Sequence, residues 1–169
     1  MKYLIVSDNH GDREILKRIF SKFSSDKAIA AIFHNGDSLF DNNDPILKNI
    51  NAVAGNNDYF SDLPDHRLYE NKRDGLRIFQ VHGHLQRVDF GLGFLEKAAA
   101  LNHADVAIFG HTHRPLAEKH GSILFINPGS TTYPRGSFRK MGGTFAVLDV
   151  DKNDFKVVFL IVNCRRCRI

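Results

Sequence analysis

Residues 2–11 of the chain read Lys-Tyr-Leu-Ile-Val-Ser-Asp-Asn-His-Gly. The first half is a short apolar run without periodicity, which predicts a strand that is buried on both faces. The second half is polar and places an aspartate and a histidine two residues apart, next to a glycine. This combination predicts an α/β fold in which functional side chains follow the carboxyl end of a buried strand.

The residues that follow predict a strand–helix–strand arrangement. Asp12 is a helix N-cap, and apolar residues recur at helical spacing over 15–23. A second strand is predicted at 29–33, a short helix opened by an Asp-Pro pair at 44–49, and a third strand at 51–54. This order favours parallel strands that are joined by helical crossovers.

The pattern changes after residue 60 and becomes richer in strands. Asp-Gly within 72–75 predicts a hairpin turn between two strands, and Leu and Ala at helical spacing predict a helix over 91–103. We therefore expect one domain over residues 1–169, with two sheets flanked by helices. The strands of this second half are predicted at 66–71, 76–81, 105–109, 116–119, 123–126, 144–150 and 155–162.

Composition sets modest bounds on function. The net charge of +4 suits an anionic substrate or nucleic acid, and it can equally be incidental. No signal peptide or membrane span is predicted, because no apolar run approaches the roughly 20 residues that a span requires. We expect a cytoplasmic protein without membrane contact. Cys164 and Cys167 in the terminal Cys-Arg-Arg-Cys are interpreted as two reduced thiols.

Five polar stretches share one design, in which Asp, Asn or His stands beside glycine just after a predicted strand. Because functional loops gather at the carboxyl ends of strands in α/β folds, we expect these five to converge on one edge. The stretches are Ser7-Asp8-Asn9-His10-Gly11, Gly36-Asp37, Gly55-Asn56-Asn57-Asp58, His82-Gly83-His84 and Gly110-His111-Thr112-His113.

The donor atoms of these stretches indicate a metal site. Carboxylate, amide and imidazole groups without a thiolate suit Mn²⁺, Fe²⁺, Co²⁺, Ni²⁺ or Zn²⁺ better than Mg²⁺ or Ca²⁺ alone. Seven side chains are too many for one ion with room for substrate, but they fit two ions about 3.5–4 Å apart that share a carboxylate. The seven are Asp8, His10, Asp37, Asn56, His82, His111 and His113.

The motif series D-x-H, G-D, G-N-x-D, H-G-H and G-H-T-H resembles that of the calcineurin-like metallophosphoesterase superfamily. It resembles in particular the small single-domain phosphodiesterases of bacteria and archaea. The likeness runs from Asp8 to His113, and the stretches 127–130 and 134–136 extend it. The resemblance implies an α/β fold of four layers, an α/β/β/α sandwich with two mixed sheets flanked by helices.

The resemblance also implies a ligand assignment and an activity. Asp8, His10 and His113 would bind one ion, Asn56, His82 and His111 the other, and Asp37 would bridge them. Mn²⁺ is the first choice, and Fe²⁺, Ni²⁺, Co²⁺, Zn²⁺ or Mg²⁺ are alternatives. A hydroxide held between the two cations would attack the phosphorus of a small phosphodiester or phosphate ester, with diesters favoured. Nucleic acid is not expected as the substrate.

Asn57 departs from many members of this superfamily, which carry histidine at that position. The small phosphodiesterase branch commonly lacks this histidine too. Asn57 can donate a hydrogen bond but cannot supply a proton at neutral pH. We therefore expect substrates with good leaving groups, unless His84 or Asp58 takes over as the acid. His84 either orients the loop of His82 or contacts substrate.

Several interpretations remain open. His34 is interpreted as a packed or supporting histidine rather than a ligand, and Ser130 either belongs to a turn against the metal loops or meets phosphate. A basic loop with Arg135, Arg139 and Lys140 is either solvated or a substrate clamp. The chain is expected to be an enzyme; the alternative is a non-catalytic scaffold that binds a protein partner, as a retromer subunit of this fold does. Phe60, Phe90 and Phe94 either line the interface of a homo-oligomer or belong to the core.

Overall fold

Ten β-strands form two five-stranded sheets in the computed structural model, which describes residues 1–73, 75–152 and 154–162. Cys164 and Cys167 lie outside these ranges. In chain order, the elements are β1 (Lys2–Val6), α1 (Arg13–Phe23), β2 (Ile29–His34), β3 (Asn51–Ala52), β4 (His66–Glu70), β5 (Arg77–Val81), α2 (Gly93–Leu101), β6 (Val106–Ile108), β7 (Pro115–His120), β8 (Ile123–Pro128), β9 (Thr144–Asp151) and β10 (Asp154–Ile161). Three 3₁₀ turns occupy Pro45–Leu47, Val88–Phe90 and Gly136–Met141.

Both sheets are mixed. The first has the order β10-β9-β1-β2-β3, in which β1, β2 and β3 run parallel and β9 pairs antiparallel with β1. The second has the order β4-β5-β6-β8-β7, with a parallel centre of β5, β6 and β8 between two antiparallel edge strands. The predicted pair of mixed sheets is confirmed.

The alternation of side chains along β1 shows how four layers arise. Tyr3 and Ile5 point into the core between the two sheets, whereas Leu4 and Val6 pack against α1 on the outer face. On the far side, α2 packs Leu95 against the second sheet. The layers therefore follow the order α1, first sheet, second sheet, α2, as the four-layer prediction requires.

Helix α1 forms as predicted. The side chain of Asp12 accepts a hydrogen bond from the backbone N–H of Ile15, which caps the first turn. Leu16 and Ile19 share the buried face with Ile15, so the apolar spacing read from the sequence is the face that contacts the first sheet.

Several predicted boundaries differ from the structure, and three of them have a clear physical reason. The helix expected at 44–49 is only the 3₁₀ turn Pro45–Leu47, because Asn49 adopts a left-handed conformation that ends it. Strand β3 stops at Ala52, since the N–H of Ala54 donates to Pro64 rather than to the sheet. Helix α2 begins at Gly93 instead of residue 91, because Gly91 has a φ of 123°.

Large apolar side chains remain on the surface. Phe60, Phe90 and Phe94 are 95%, 84% and 59% exposed, which excludes the core interpretation for all three. An interface between copies of the chain stays a prediction.

Within the described ranges, the helices are all too short or too polar to cross a membrane.

Candidate metal centre

The five polar stretches converge as predicted. They follow the carboxyl ends of β1, β2 and the edge strand β3 in the first sheet, and of β5 and β6 in the second. The loops are tied to each other by backbone hydrogen bonds, such as those from Asp8 N to Gly36 O and from Gly110 N to His82 O. One edge of the sandwich therefore carries all seven candidate ligands.

One group of donor atoms comes from the first and last stretches. Nε2 of His113 lies 3.2 Å from Oδ1 of Asp8 and 3.3 Å from Nε2 of His10. Asp8 and His113 are buried, whereas His10 is half-buried. These three side chains form one of the clusters in which a metal ion could be held.

A second group surrounds the amide oxygen of Asn56. This oxygen lies 3.1 Å from Nε2 of His82 and 2.8 Å from Nδ1 of His111. Asp37 stands between the two groups, with Oδ2 at 3.9 Å from Nε2 of His10 and Oδ1 at 3.6 Å from Nε2 of His82. The structure thus brings all seven residues together, with Asp37 between the two groups. Oδ1 of Asp8 also lies 3.9 Å from Nε2 of His82, and Asp8, Asp37 and His82 form a second cluster in which an ion could be held.

The residues fit divalent ions in their spacing and their chemistry. Two ligands bound at about 2.1 Å to the same ion are roughly 3 Å apart, close to the separations within each group. Oδ1 of Asp8 is buried without a hydrogen-bond donor among the described residues, as expected for an atom reserved for a cation. The donor set also contains no sulfur, which agrees with intermediate metals.

The imidazole tautomers suit metal binding. His82 donates Nδ1–H to the carbonyl of Asn35 at 2.7 Å, and His113 donates Nδ1–H to the carbonyl of Tyr133 at 2.7 Å. His111 uses its other nitrogen, because its Nε2 lies 2.7 Å from Oδ2 of Asp89 and its Nδ1 is the atom that faces the ligands. In each ring, the nitrogen without a proton faces the neighbouring ligands, as coordination requires.

Sequence reasoning did not identify Asn35, Tyr133 or Asp89 as supports. Two of them act through backbone carbonyls, so their residue type carries no signal. Asp89 does act through its side chain, but it belongs to the 3₁₀ turn Val88–Phe90 and lies outside the five stretches. Its sequence context shows no glycine pattern that would single it out.

The backbone of the centre is strained at most of the candidate ligands. Five of the seven have positive φ angles between 45° and 67°, a region that residues other than glycine rarely adopt. Such conformations persist where the surrounding structure enforces them, and they concentrate at functional sites. The five are Asp8, His10, Asp37, His111 and His113.

Two glycines are required by close approach rather than by a turn. A Cβ atom on Gly55 would collide with the carboxylate and backbone of Asp37. A Cβ atom on Gly110 would collide with the hydroxyl of Ser7 and lie 2.7 Å from Oδ2 of Asp8. The glycines beside the ligands therefore leave room for carboxylates from neighbouring loops.

The three predicted catalytic residues have different surroundings. Asn57 donates its backbone N–H to Oδ1 of Asp37 at 2.8 Å and its amide N–H to Oδ2 at 2.5 Å. Asp58 is buried and accepts backbone N–H groups from Leu39 and Gly55, both at 2.7 Å. It thus connects the loop of Asp37 to the loop of Asn56.

His84 lies beside the second group of ligands. Its ring centroid is 5.4 Å from that of His82 and 6.2 Å from that of His111. Its buried Nδ1 has no hydrogen-bond partner within the described part of the chain. Burial is the main cause that lowers the pKa of His84, so the ring favours its neutral form.

The supporting residues match two of the open interpretations. His34 is fully buried and shares a 2.8 Å hydrogen bond with Oδ1 of Asn9, and burial lowers its pKa to about 4. Ser130 is also fully buried, and its hydroxyl donates to the carbonyl of Asp8 at 2.7 Å. Both residues therefore shape the loop that carries Asp8 and His10, and Ser130 has no access to phosphate.

Electrostatics within the first group favour an ionised carboxylate. Burial acts to raise the pKa of Asp8, but His113 and His82 outweigh it and hold the pKa below its usual value. Burial acts to lower the pKa of His113, but the contact with Asp8 raises it overall. A buried carboxylate that stays ionised is suited to binding a cation.

Comparison with known proteins identifies the class. The sequence profile of the calcineurin-like phosphoesterase superfamily domain matches residues 1–153, and the chain therefore belongs to this family of metal-dependent phosphoesterases. It is 34% identical to the probable metallophosphoesterase YsnB of Bacillus subtilis over 135 residues, which cover 80% of this chain and 78% of YsnB. It is 30% identical to phosphodiesterase MJ0936 of Methanocaldococcus jannaschii in an alignment of 177 positions, which covers 95% of this chain and 99% of MJ0936.

Solved structures agree with the fold. A conserved protein from Streptococcus pneumoniae TIGR4, described as a predicted phosphoesterase, superposes with a TM-score of 0.88 at 34% identity, covering 96% of this chain and 90% of that one. Vps29 of Chaetomium thermophilum superposes with a TM-score of 0.73 at 22% identity, covering 94% and 86%. The second likeness concerns the fold alone.

Proposed function

We propose that the chain is a dinuclear metal-dependent phosphodiesterase. The observation that carries the proposal is the pair of donor groups that meet at Asp37, because one shared carboxylate between two nitrogen- and oxygen-rich groups suits two ions. The relative MJ0936 bears the name phosphodiesterase, which agrees with this proposal. A single domain over residues 1–169 and a cytoplasmic location stay predictions.

Each ion would have its own ligands. Asp8, His10 and His113 would hold the first, and Asn56, His82 and His111 the second, with Asp37 between them. The mixed oxygen and imidazole set makes Mn²⁺ the first choice, followed by the neighbouring divalent metals. When bound, such a pair of cations lowers the pKa of a water molecule towards neutrality and offsets charge on the phosphate oxygens.

Residues next to the candidate ligands hold them in position. Asn57 donates two hydrogen bonds to Asp37 and thereby fixes the orientation of the shared carboxylate. Asp58 holds the loops of Asp37 and Asn56 together, so we assign it a positioning role rather than a direct catalytic one. His84 stands next to His82 and His111 and is the remaining candidate for contact with substrate.

The preference for diesters rests on the likeness to MJ0936, which is named a phosphodiesterase, whereas Asn57 bears on the leaving group. An amide cannot protonate a leaving group at neutral pH, so the leaving group must depart without help from an acid at this position. Esters with good leaving groups satisfy this requirement, and small diesters that carry such a group are among them. The complete set of seven ligands favours an enzyme over the alternative of a non-catalytic scaffold.

The test compares bis-p-nitrophenyl phosphate with p-nitrophenyl phosphate in the metal-stripped protein before and after addition of Mn²⁺. We expect metal-dependent cleavage with the diester preferred. Asp37→Ala and His82→Ala should each lose bound metal and activity together, whereas the exposed His66→Ala should keep both. Turnover in a fully demetallated Asp37→Ala protein would contradict the proposal. It would also be contradicted if the wild type hydrolysed neither ester while two ions were bound.

A further inference from the structure

A cleft of about 620 Å³ beside the candidate metal centre is lined by three arginines. Arg114 comes directly after His113, while Arg135 and Arg139 come from the loop and 3₁₀ turn that follow Tyr133. Tyr133 forms part of the wall between the arginines and the centre. We call this feature the arginine cleft.

The arginine cleft shares its wall with the first group of ligands. The carbonyl of Tyr133 accepts from Nδ1 of His113 at 2.7 Å, and the N–H of Arg135 donates to the carbonyl of His113 at 3.0 Å. The Tyr133 ring centroid lies 5.2 Å from that of His10. A molecule that has one phosphate at the centre can therefore extend a neighbouring group into the cleft.

The arginine side chains of the cleft are not paired with carboxylates of the described residues. Arg114, Arg135 and Arg139 form no ion pair within the described ranges, in contrast to Arg13, which pairs with Asp44 at 2.6 Å. The lining residues include no carboxylate among those described. Three guanidinium groups around one cleft suit phosphate oxygens, because each planar group can donate two parallel hydrogen bonds.

The turn at Gly136 helps to gather these side chains. Gly136 has a φ of 75°, and a Cβ atom there would lie 3.4 Å from Cγ of Arg114. The stem of Arg114 therefore lies across the turn from which Arg139 extends. The sequence alone left open whether this basic loop is solvated or a clamp, and the shared cleft favours the clamp.

We infer that the arginine cleft binds a second phosphate group carried by the substrate, an inference that rests on the proposed function. The substrate class is a compact organic phosphate with one ester group at the metal centre and another phosphate on the same molecule. A nucleic acid strand fits less well, because a second cavity of about 520 Å³, which is also lined by Arg114 and Arg135, contains Asp89 and Glu118. Those carboxylates interrupt the continuous basic track that a polyanion requires.

Two esters that differ in one phosphate test this inference. They are thymidine 5′-(p-nitrophenyl phosphate) and the same ester with an additional 3′-phosphate, so the leaving group and the scissile bond are identical. We expect the wild type to favour the 3′-phosphorylated ester at least about ten-fold in kcat/KM, as charge-assisted hydrogen bonds allow. The ratio should fall towards one in Arg139→Ala and Arg114→Ala, and partly in Arg139→Lys.

Lys119→Ala is the matched control, because it removes a cation from an exposed position that lines neither cavity. This variant should keep the wild-type ratio. A ratio within two-fold of one in the wild type, or a wild-type ratio unchanged in both alanine variants, overturns the inference. Circular dichroism of each variant separates loss of the cleft from loss of the fold.

A binding measurement separates the inference from the proposed function. Metal-stripped protein is titrated with thymidine 3′,5′-bisphosphate, thymidine 5′-monophosphate and inorganic phosphate in a calorimeter. Tighter binding of the bisphosphate in the wild type, lost in Arg139→Ala, upholds the arginine cleft even if neither ester is hydrolysed. Equal binding of the bisphosphate and the monophosphate overturns it even if both esters are hydrolysed. Inorganic phosphate that binds as tightly as the bisphosphate also overturns it, because the cleft would then be a site for free anions.

Discussion

His111 and Asp89 are joined by a hydrogen bond of 2.7 Å between Nε2 and Oδ2, which turns Nδ1 of the histidine towards Asn56. Carboxylates that orient a ligating histidine typically contribute 10- to 100-fold to metal affinity or activity. We expect Asp89→Ala to weaken Mn²⁺ binding by about 10-fold or more. Competition with a chromophoric chelator measures the Mn²⁺ affinity, under conditions in which the binding of the first and the second ion gives separate steps.

Asp62→Ala is the control for this variant, because Asp62 is an exposed carboxylate outside the described hydrogen-bond network of the centre. It should bind metal like the wild type. If Asp89→Ala also binds Mn²⁺ with wild-type affinity at both positions, the contact with His111 does not orient a ligand.

Replacement of Gly55 tests whether the shared carboxylate needs the space that glycine leaves. A Cβ atom at this position would collide with Asp37, so Gly55→Ala must displace either that carboxylate or the loop of Asn56. Because Asp37 lies between both groups of ligands, we expect the variant to lose high-affinity binding of both ions. Metal content after dialysis, measured by mass spectrometry, reports the number of ions retained.

Gly93→Ala gives the matched control. Gly93 opens helix α2, and a Cβ atom there meets no atom within 4 Å. Alanine should keep metal binding intact, and because it favours helix it should not lower stability. Two bound ions per chain in Gly55→Ala would show that the loop absorbs the methyl group without moving Asp37.

Asn57 occupies the position at which a histidine could protonate the leaving group. Asn57→His should raise activity on esters with poor leaving groups, towards the roughly 10²-fold that a general acid contributes. Activity on p-nitrophenyl esters should change less, because nitrophenolate departs without a proton. The measurement is a series of aryl phosphodiesters whose leaving groups differ in pKa.

Asn57→Ala serves as the comparison, since it also loses the side-chain hydrogen bond to Asp37 but gains no acid. The slope of log rate against leaving-group pKa should flatten in Asn57→His alone. An unchanged slope in Asn57→His would mean that another residue, such as His84, already supplies the proton.

The sequence was sufficient to predict which residues meet, because the signal for each was both chemical and positional. Asp37, for example, combines a ligating side chain with glycine and with a place just after a buried strand. The same logic predicted the order of most elements, since burial imposes periodicity on strands and helices alike.

What the sequence could not supply depends on contacts between distant loops. Asp89 carries no pattern of its own, and its role follows only from the position of His111 in space. The space that Gly55 leaves for Asp37 is likewise visible only once the two loops are placed side by side. The short 3₁₀ turn at Pro45–Leu47 was predicted as a longer helix because the left-handed conformation of Asn49 has no signal in apolar spacing.

The positive φ of His111 predicts a stability difference between two variants that both lose the ligand. His111 has a φ of 67°, which glycine adopts freely but alanine does not. We expect metal-free His111→Gly to be more stable than His111→Ala by about 0.5–1 kcal/mol, although glycine normally destabilises the folded state by increasing the entropy of the unfolded chain. Urea unfolding of both metal-free proteins measures the difference, and greater stability of the alanine variant would show that the loop relaxes to negative φ.

The pair of Arg13 and Asp44 predicts a pH dependence of stability away from the centre. Hydrogen bonds from the Arg13 guanidinium, and then from the N–H of Ile46, lower the pKa of Asp44 from its usual 3.8 to about 2. Because the folded-state pKa is the lower one, this carboxylate stabilises the fold fully above about pH 4 and loses its contribution as the pH falls through 2. Asp44→Asn should therefore unfold at lower urea concentration than the wild type at pH 7, and the gap should narrow between pH 4 and pH 2. Asp41→Asn, at an exposed carboxylate nearby, should show no such gap. A gap of the same size at pH 2 and pH 7 would mean that Asp44 acts through packing or capping geometry rather than through its charge.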